Sequence, residues 1–166
     1  MQPGCVKMKQ IPLTQGKLTL VDDQDYDFLM QWKWHIQKSH KTIYAIRTDN
    51  FNHTTIRMHR IIAKRMRLEG HIDHKDQNGL NNQRDNLRFA TNSQQGANQK
   101  KHNNNTSGYK GVYWRKDNHK WRVEINVNGK RINLGCFENS KDAARAYNEA
   151  AIKYHGEFAV LNEVIL

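Results

Sequence analysis

The chain has 166 residues, with 27 Lys and Arg against 16 Asp and Glu and a formal net charge of +11. That length suits one ordinary domain or two small ones. The positive surplus favours a polyanion such as nucleic acid over an acidic small molecule, because each basic group placed on a phosphate releases condensed counterions. No uninterrupted apolar run approaches the roughly 20 residues of a membrane helix. Met1 to Gln10 has no apolar core of the secretory type. Two cysteines, Cys5 and Cys136, are too few for a disulfide framework or a four-cysteine zinc site. The expectation is a reduced protein of the cytoplasm that does not enter membranes.

A small N-terminal α+β segment is expected over residues 1–54. Asp22, Asp23, Asp25 and Asp27 precede Phe28, Leu29 and Trp32, where acids in the first turn of a short helix meet a favourable dipole. They are read as helix-start residues in preference to a metal cluster. Trp32, Trp34, Ile43, Tyr44 and Ile46 suggest short strands.

Residues 55–101 form the second segment. Ile56, Met58, Ile61, Ile62, Met66 and Leu68 recur at helical spacing between Arg57, Arg60, Lys64, Arg65 and Arg67. The pattern predicts a basic amphipathic helix that ends at Gly70. His71-Ile72-Asp73-His74, a loop rich in Asn and Gly, a strand Leu87-Arg88-Phe89 and a polar helix opened by Thr91 or Ser93 then make a ββα unit. Residues 102–108 are polar, basic and without periodicity, and mark a linker.

The third segment, residues 109–166, alternates Trp121, Val123, Ile125 and Val127 with Arg122, Glu124 and Asn126, the pattern of a half-buried strand. Asn128-Gly129 is a strong hairpin signal. Ile132 and Leu134 continue on the next strand, and Val112 and Trp114 give a preceding strand its inner face. Ser140 caps a helix whose apolar stripe is Ala143, Ala146, Tyr147, Ala150, Ala151 and Tyr154. A three-stranded antiparallel sheet covered by one helix follows, with Tyr113, Arg115, Arg122, Glu124, Asn126, Arg131 and Asn133 on the other face.

Asp73-His74 is the pair most suited to chemistry. Phosphodiester hydrolysis needs an attacking water, a base to deprotonate it and a cation on the leaving oxygen. An aspartate offers a hard oxygen ligand, and a histidine is a poised base. A surface or capping role for the two residues is the alternative. His71 and His74 are three apart on a strand and point to opposite faces, so they do not chelate together, and His59 is read as a packing or hydrogen-bonding residue of its helix.

The stretch from His71 to Arg88, with Met58-His59-Arg60 upstream, resembles the HNH endonuclease motif of phage and intron-encoded homing enzymes. The resemblance implies a ββα-metal fold. It implies Asp73 as metal ligand, His74 as general base and Asn86 as the central Asn that organises the loop. The last metal ligand is an Asn or His nine residues past Asn86, where this chain has Gln95. Gln is one methylene longer, and a displacement of that order costs ~10²-fold in rate. Asn98, one helical turn on, is a substitute.

Tyr109-Lys110-Gly111-Val112-Tyr113-Trp114-Arg115, Lys120-Trp121-Arg122-Val123-Glu124-Ile125, Leu134-Gly135-Cys136-Phe137 and the run from Ala143 to Ala151 resemble the Apetala/ethylene-response-factor DNA-binding domain. Its sheet reads the major groove, and the match implicates Lys110, Gly111, Arg115, Glu124 and Arg131. Tyr113 replaces a usual Arg and Asn133 a frequent Trp, and the family's further tryptophan between the first two strands has no clear equivalent. Plant-type specificity is therefore not assumed.

The whole order, with Ile11-Pro12-Leu13-Thr14-Gln15-Gly16-Lys17 at the front, resembles phage and bacterial HNH proteins that end in an Apetala-type domain. The expected class is α+β, a ββα-metal unit plus a three-stranded sheet on one helix. The implied activity is metal-dependent nicking or cleavage of double-stranded DNA with Mg²⁺, or Mn²⁺ as substitute, by a monomer or a homodimer. A catalytically inactive, sequence-specific DNA-binding descendant is the alternative, favoured by Gln95. An RNA-binding protein accounts for the charge but not for Asp73-His74.

Overall fold

The computed structural model describes residues 7–39, 42–49, 51–101 and 104–164. Cys5 lies outside them. The chain divides into two compact units, Met1–Ala90 and Thr91–Leu166, and the polar stretch after Lys101 lies within the second.

The first unit opens with a hairpin, β1 (Met8–Pro12) and β2 (Leu18–Asp22), whose turn is made by Gln15 and Gly16 in left-handed backbone. Helix α1 (Asp23–Leu29) follows directly. Strands β3 (His35–Ser39), β4 (Thr42–Thr48) and β5 (Thr55–Arg57) form an antiparallel sheet in that order, and α2 (Met58–Arg65) leaves β5 without a loop. Strands β6 (Ile72–His74) and β7 (Leu87–Phe89) make a second hairpin around a long loop. Ile11, Val21, Leu29, Trp34, Met58, Ile62 and Leu87 meet in one core.

One expectation is corrected here. The helix expected from Ile56 to Gly70 is confined to α2, because Ile56 and Arg57 pair with Arg47 and Ile46 of β4. It ends at Met66, and Arg67 takes the left-handed φ of 59° that closes it, before Gly70 is reached. The acidic cluster stands at the start of α1 as expected, with Asp23 and Asp25 in its first turn, and its carboxylates also bind elsewhere in the unit. Asp22 accepts from the backbone N–H of Arg84 at 2.8 Å, and Asp23 pairs with Lys9. Asp25 is fully buried against Arg65 and Arg84, with N···O distances of 2.7 and 2.6 Å.

The β6–β7 loop lies on the rest of its unit rather than in solvent. Leu20 N–H donates to Leu80 O and Asn82 N–H to Leu20 O, both at 2.8 Å, so residues 80–82 run along β2. Gly79 permits this approach: a Cβ there would sit 2.5 Å from Ile43 O and 2.7 Å from the Tyr44 ring.

The second unit begins with α3 (Asn92–Ala97), capped by Thr91 and Gln94 in a reciprocal box. Ser107 Oγ binds the carbonyls of Tyr109 and Val112 at 3.0 and 2.7 Å and shapes the turn into the sheet. Strands β8 (Val112–Arg115), β9 (Lys120–Val127) and β10 (Lys130–Phe137) form an antiparallel sheet with β9 central. Helix α4 (Ser140–His155) covers one face. Its small residues Ala143, Ala144, Ala150 and Ala151 let it approach Val112, Val123 and Ile125 closely. Asn139 rather than Ser140 is its N-cap, accepting from Lys141 N–H at 2.7 Å. Trp114 is not the inner-face residue expected from alternation. It is 41% exposed and packs against Trp121 and His119 at the sheet's end.

Candidate functional site

Antiparallel pairing places Asp73 opposite Arg88 and His74 opposite Leu87. Neighbouring strand residues face opposite ways, so Asp73 and His74 leave β6 on different sides. Asp73 Oδ2 accepts from Arg88 Nε and Nη2, both at 3.1 Å, in a largely buried ion pair. His74 points inward and is 6% exposed. The His59 ring of α2 meets it edge to face at 4.9 Å and Tyr44 of β4 lies 6.0 Å away, centroid to centroid. Its Nε2 lies 3.3 Å from Asn82 Oδ1.

Asn86 ties the intervening loop together. Its Oδ1 accepts from Asp76 N–H at 3.0 Å, and its Nδ2 donates to Asp76 Oδ1 and Asn81 O at 2.8 Å each. Asp76 also accepts from Asn78 N–H and Asn81 Nδ2. The loop backbone is thus braced by side chains in place of a strand ladder.

The electrostatics favour a neutral imidazole. Burial is the main cause that pushes His74 below its ordinary value, and the Asn82 hydrogen bond and the charges of Asp76 and Asp73 oppose it. His59 is pushed down to about 3, first by burial and then by His74, Arg57 and Arg60. Near neutral pH a neutral His74 is a proton acceptor.

Gln95 and Asn98 stand on and just after α3 in the second unit, Gln95 half-buried and Asn98 buried. Among the described residues no group of three or more His, Cys, Asp or Glu could hold a metal ion.

The uncovered face of the C-terminal sheet gathers the expected side chains. Cross-strand pairs set Tyr113 and Cys136 beside Arg122, Asn133 beside Glu124, Arg131 beside Asn126 and Arg115 beside Lys120. Arg122 bonds Glu124 at 2.8 Å, and Arg115 Nε bonds Asp117 at 2.7 Å. Tyr113 is raised above its ordinary value by burial and by its bond to Glu124. A bulge at Asn133/Gly135 brings Cys136 onto this face and turns Phe137 toward Trp121.

Lys110 and Gly111 have other surroundings. Lys110 Nζ donates to Ala97 O and Gln99 O at 2.5 and 2.6 Å at the end of α3, and burial lowers it to about 8. Gly111 has φ 75°, and a Cβ there would stand 2.2 Å from the Tyr147 ring.

Arg88, Asn82 and Tyr44 were not singled out by the sequence. The hairpin register is the signal that would have found Arg88, since counting back from Asp73 and Leu87 pairs it with Asp73. Nothing local marks Asn82 or Tyr44.

A buried histidine beside an aspartate on a ββ hairpin, and a basic sheet face backed by one helix, define a protein with a nuclease-type unit and a DNA-docking unit. The comparisons agree. Residues 57–97 match the HNH endonuclease family model and residues 107–157 the AP2 domain. The chain is 37% identical over 89 residues to Protein 3.8 of Escherichia phage T7, covering 54% of this chain and 73% of that protein. It is 26% identical over 155 residues to an uncharacterized HNH endonuclease of Acanthamoeba polyphaga mimivirus, covering 90% and 77%. An AP2-like ethylene-responsive transcription factor of Arabidopsis thaliana is 40% identical over 60 residues, 36% of this chain and 12% of that protein. The chain belongs to the family of the phage protein and carries an HNH endonuclease domain followed by an AP2 domain. The two domains together indicate DNA binding. No helix among the described residues is long and apolar enough to cross a membrane.

Proposed function

We propose that this chain is a metal-dependent HNH endodeoxyribonuclease of the homing type, docked on double-stranded DNA by its C-terminal sheet. The observation that carries the reading is His74, buried and oriented by Asn82 inside the unit whose loop Asn86 braces. Residues 55–101 perform the cutting, residues 109–166 dock on DNA, residues 102–108 join them and residues 1–54 support the nuclease hairpin. The protein acts in the cytoplasm of the host cell.

In this mechanism His74 takes a proton from water and the oxygen attacks phosphorus in line. The bond to the 3′-oxygen breaks and that oxygen takes a proton from a second water, leaving a 5′-phosphate and a 3′-hydroxyl. Asn86 keeps the loop in shape around the pair. The HNH motif match makes the Asp73 carboxylate a metal ligand, with Gln95 at the sequence position of the family's last ligand and Asn98 as its substitute. Hard oxygens of this kind suit Mg²⁺, with Mn²⁺ as substitute, because such an ion takes one or two carboxylates, keeps waters and shares the substrate phosphate. When bound there, the ion supplies charge stabilisation for the departing 3′-oxygen. Arg88 holds the Asp73 carboxylate in place.

Tyr113, Arg115, Arg122, Glu124, Arg131 and Asn133 meet the groove, and Lys110 and Gly111 support the face from the start of β8. One nuclease unit cuts one strand, so a monomer nicks and a homodimer breaks both.

Supercoiled plasmid incubated with Mg²⁺, Mn²⁺ or EDTA tests this with wild type and His74→Ala. Metal-dependent nicking that disappears in His74→Ala is the expected result. Equal cutting by both proteins would rule out His74 as base. Gln95 in place of Asn or His favours a second reading, a binding-only descendant of a nuclease. It is supported if plasmid carrying a bound site stays intact in every metal and Gln95→Asn restores cutting.

A further inference from the structure

The lone pair with which His74 acts is fixed by a chain of buried hydrogen bonds starting at β2. The Thr19 hydroxyl has one hydrogen, which it donates to Leu80 O at 2.7 Å. Its oxygen is therefore an acceptor for Asn82 Nδ2, also at 2.7 Å. The same amide nitrogen faces Gly79 O at 3.4 Å, another acceptor. Both neighbours demand a donor, which fixes which way round the Asn82 amide sits and turns Oδ1 toward His74 Nε2 at 3.3 Å. A carbonyl oxygen can only accept, so Nε2 carries the hydrogen and Nδ1 the lone pair. Thr19 is 0% and Asn82 1% exposed, so water does not substitute for a partner that is lost.

We infer that Asn82, held by Thr19, is a positioning residue that locks His74 in the Nε2–H tautomer, so that Nδ1 is the atom that takes the proton from water. This rests on the reading of His74 as general base. Asn82 itself touches no substrate; it acts through the ring.

The test uses the full-length protein. Long-range ¹⁵N–¹H correlation spectra report which ring nitrogen of His74 is protonated, with His74→Ala identifying the signals. The expected wild-type pattern is a protonated Nε2 whose hydrogen exchanges slowly with water, and an unprotonated Nδ1. A wild-type His74 protonated at Nδ1 overturns the inference, whatever the variants do. In Asn82→Ala the Nε2 hydrogen exchanges quickly, the two nitrogen shifts move toward each other, and plasmid nicking falls on the order of 10²-fold, the scale of a misplaced catalytic group. Thr19→Val moves both readouts the same way by less, and Thr19→Ser restores them. If nicking falls in Asn82→Ala while the ring signals stay as in wild type, the loss is one of packing and the positioning role is refuted. If the ring signals change while nicking is retained, the role in cutting is refuted. Nicking retained in His74→Ala sinks the base assignment separately, because the tautomer is read without cleavage.

Discussion

Asp25→Ala removes a carboxylate with no solvent exposure that binds two guanidinium groups from distant parts of the first unit. Arg65 Nε lies 2.7 Å away, and Arg84 Nε and Nη2 lie 2.6 and 2.8 Å away. Breaking a buried pair from one side costs about 3–5 kcal/mol. The side chains left behind are 35% and 24% exposed and rehydrate in part, which places the loss at the lower end, about 3 kcal/mol. With a urea slope of about 2 kcal/mol/M the midpoint falls by about 1.5 M. Asp25→Asn keeps an acceptor and loses the charge, so it falls by roughly half as much. Arg84 opens the short turn to Asn86, so the variant also loosens the loop around His74 and slows nicking. The assay is equilibrium unfolding in urea, followed by the amide signals of Leu29, Ala45 and Leu87. A midpoint for Asp25→Ala within about 0.25 M of wild type, about 0.5 kcal/mol at that slope, would show the clamp to be an ordinary surface pair and refute the reasoning.

Acid should weaken the same unit in two stages. His59 has a folded value of about 3 against an ordinary 6.5, so its contribution is complete above 6.5 and is lost as pH falls from there toward 3, up to roughly 5 kcal/mol. His59→Phe keeps a ring against His74 and flattens this part of the urea midpoint against pH; an unchanged slope counts against the assignment. Burial raises Asp25, but Arg84 and Arg65 outweigh it and lower the net value, so this carboxylate's contribution is lost only as pH falls below 3.8. Gly111→Ala forces a methyl against Tyr147 in left-handed backbone and costs about 3 kcal/mol, whereas Gly129→Ala, with open space around it, costs about 1. Thermal unfolding of the second unit compares them, and equal losses would refute the packing argument. Arg131→Ala should cost about 1–3 kcal/mol of duplex binding. A salt slope reduced by about 1 marks a phosphate contact and relaxed sequence preference marks a base contact, while unchanged binding removes Arg131 from the interface.

Much of the architecture was legible because it obeys local rules. Asn128-Gly129 supplies the two left-handed residues of its hairpin, with φ of 50° and 80°. Alternation marks the inner face of β9, and the Ala-rich stripe marks the buried side of α4. The short run Leu87-Arg88-Phe89 is a strand, and Thr91 with Gln94 caps α3. Asp73, His74 and Asn86 stood out because their spacing matched a known motif. The family order read from those residues matches the domain assignments.

Tertiary structure decided what local rules leave open. Ile56 fits the apolar stripe of a helix, yet pairing with Arg47 makes it a strand residue, because ladder hydrogen bonds and burial outweigh a weak propensity. Asp25 is a helix-start acid as its position suggests, but only tertiary structure brings two arginines from 40 and 59 residues away onto it. Cys136 reaches the arginine face only because one extra residue at the bulge reverses the alternation. The same holds for Asn82 and Thr19, which meet across 63 residues. Side-chain periodicity encodes which face of an element is buried. It carries no information about which distant element arrives there, and that is settled by register, loop closure and the demand that every buried polar group find a partner.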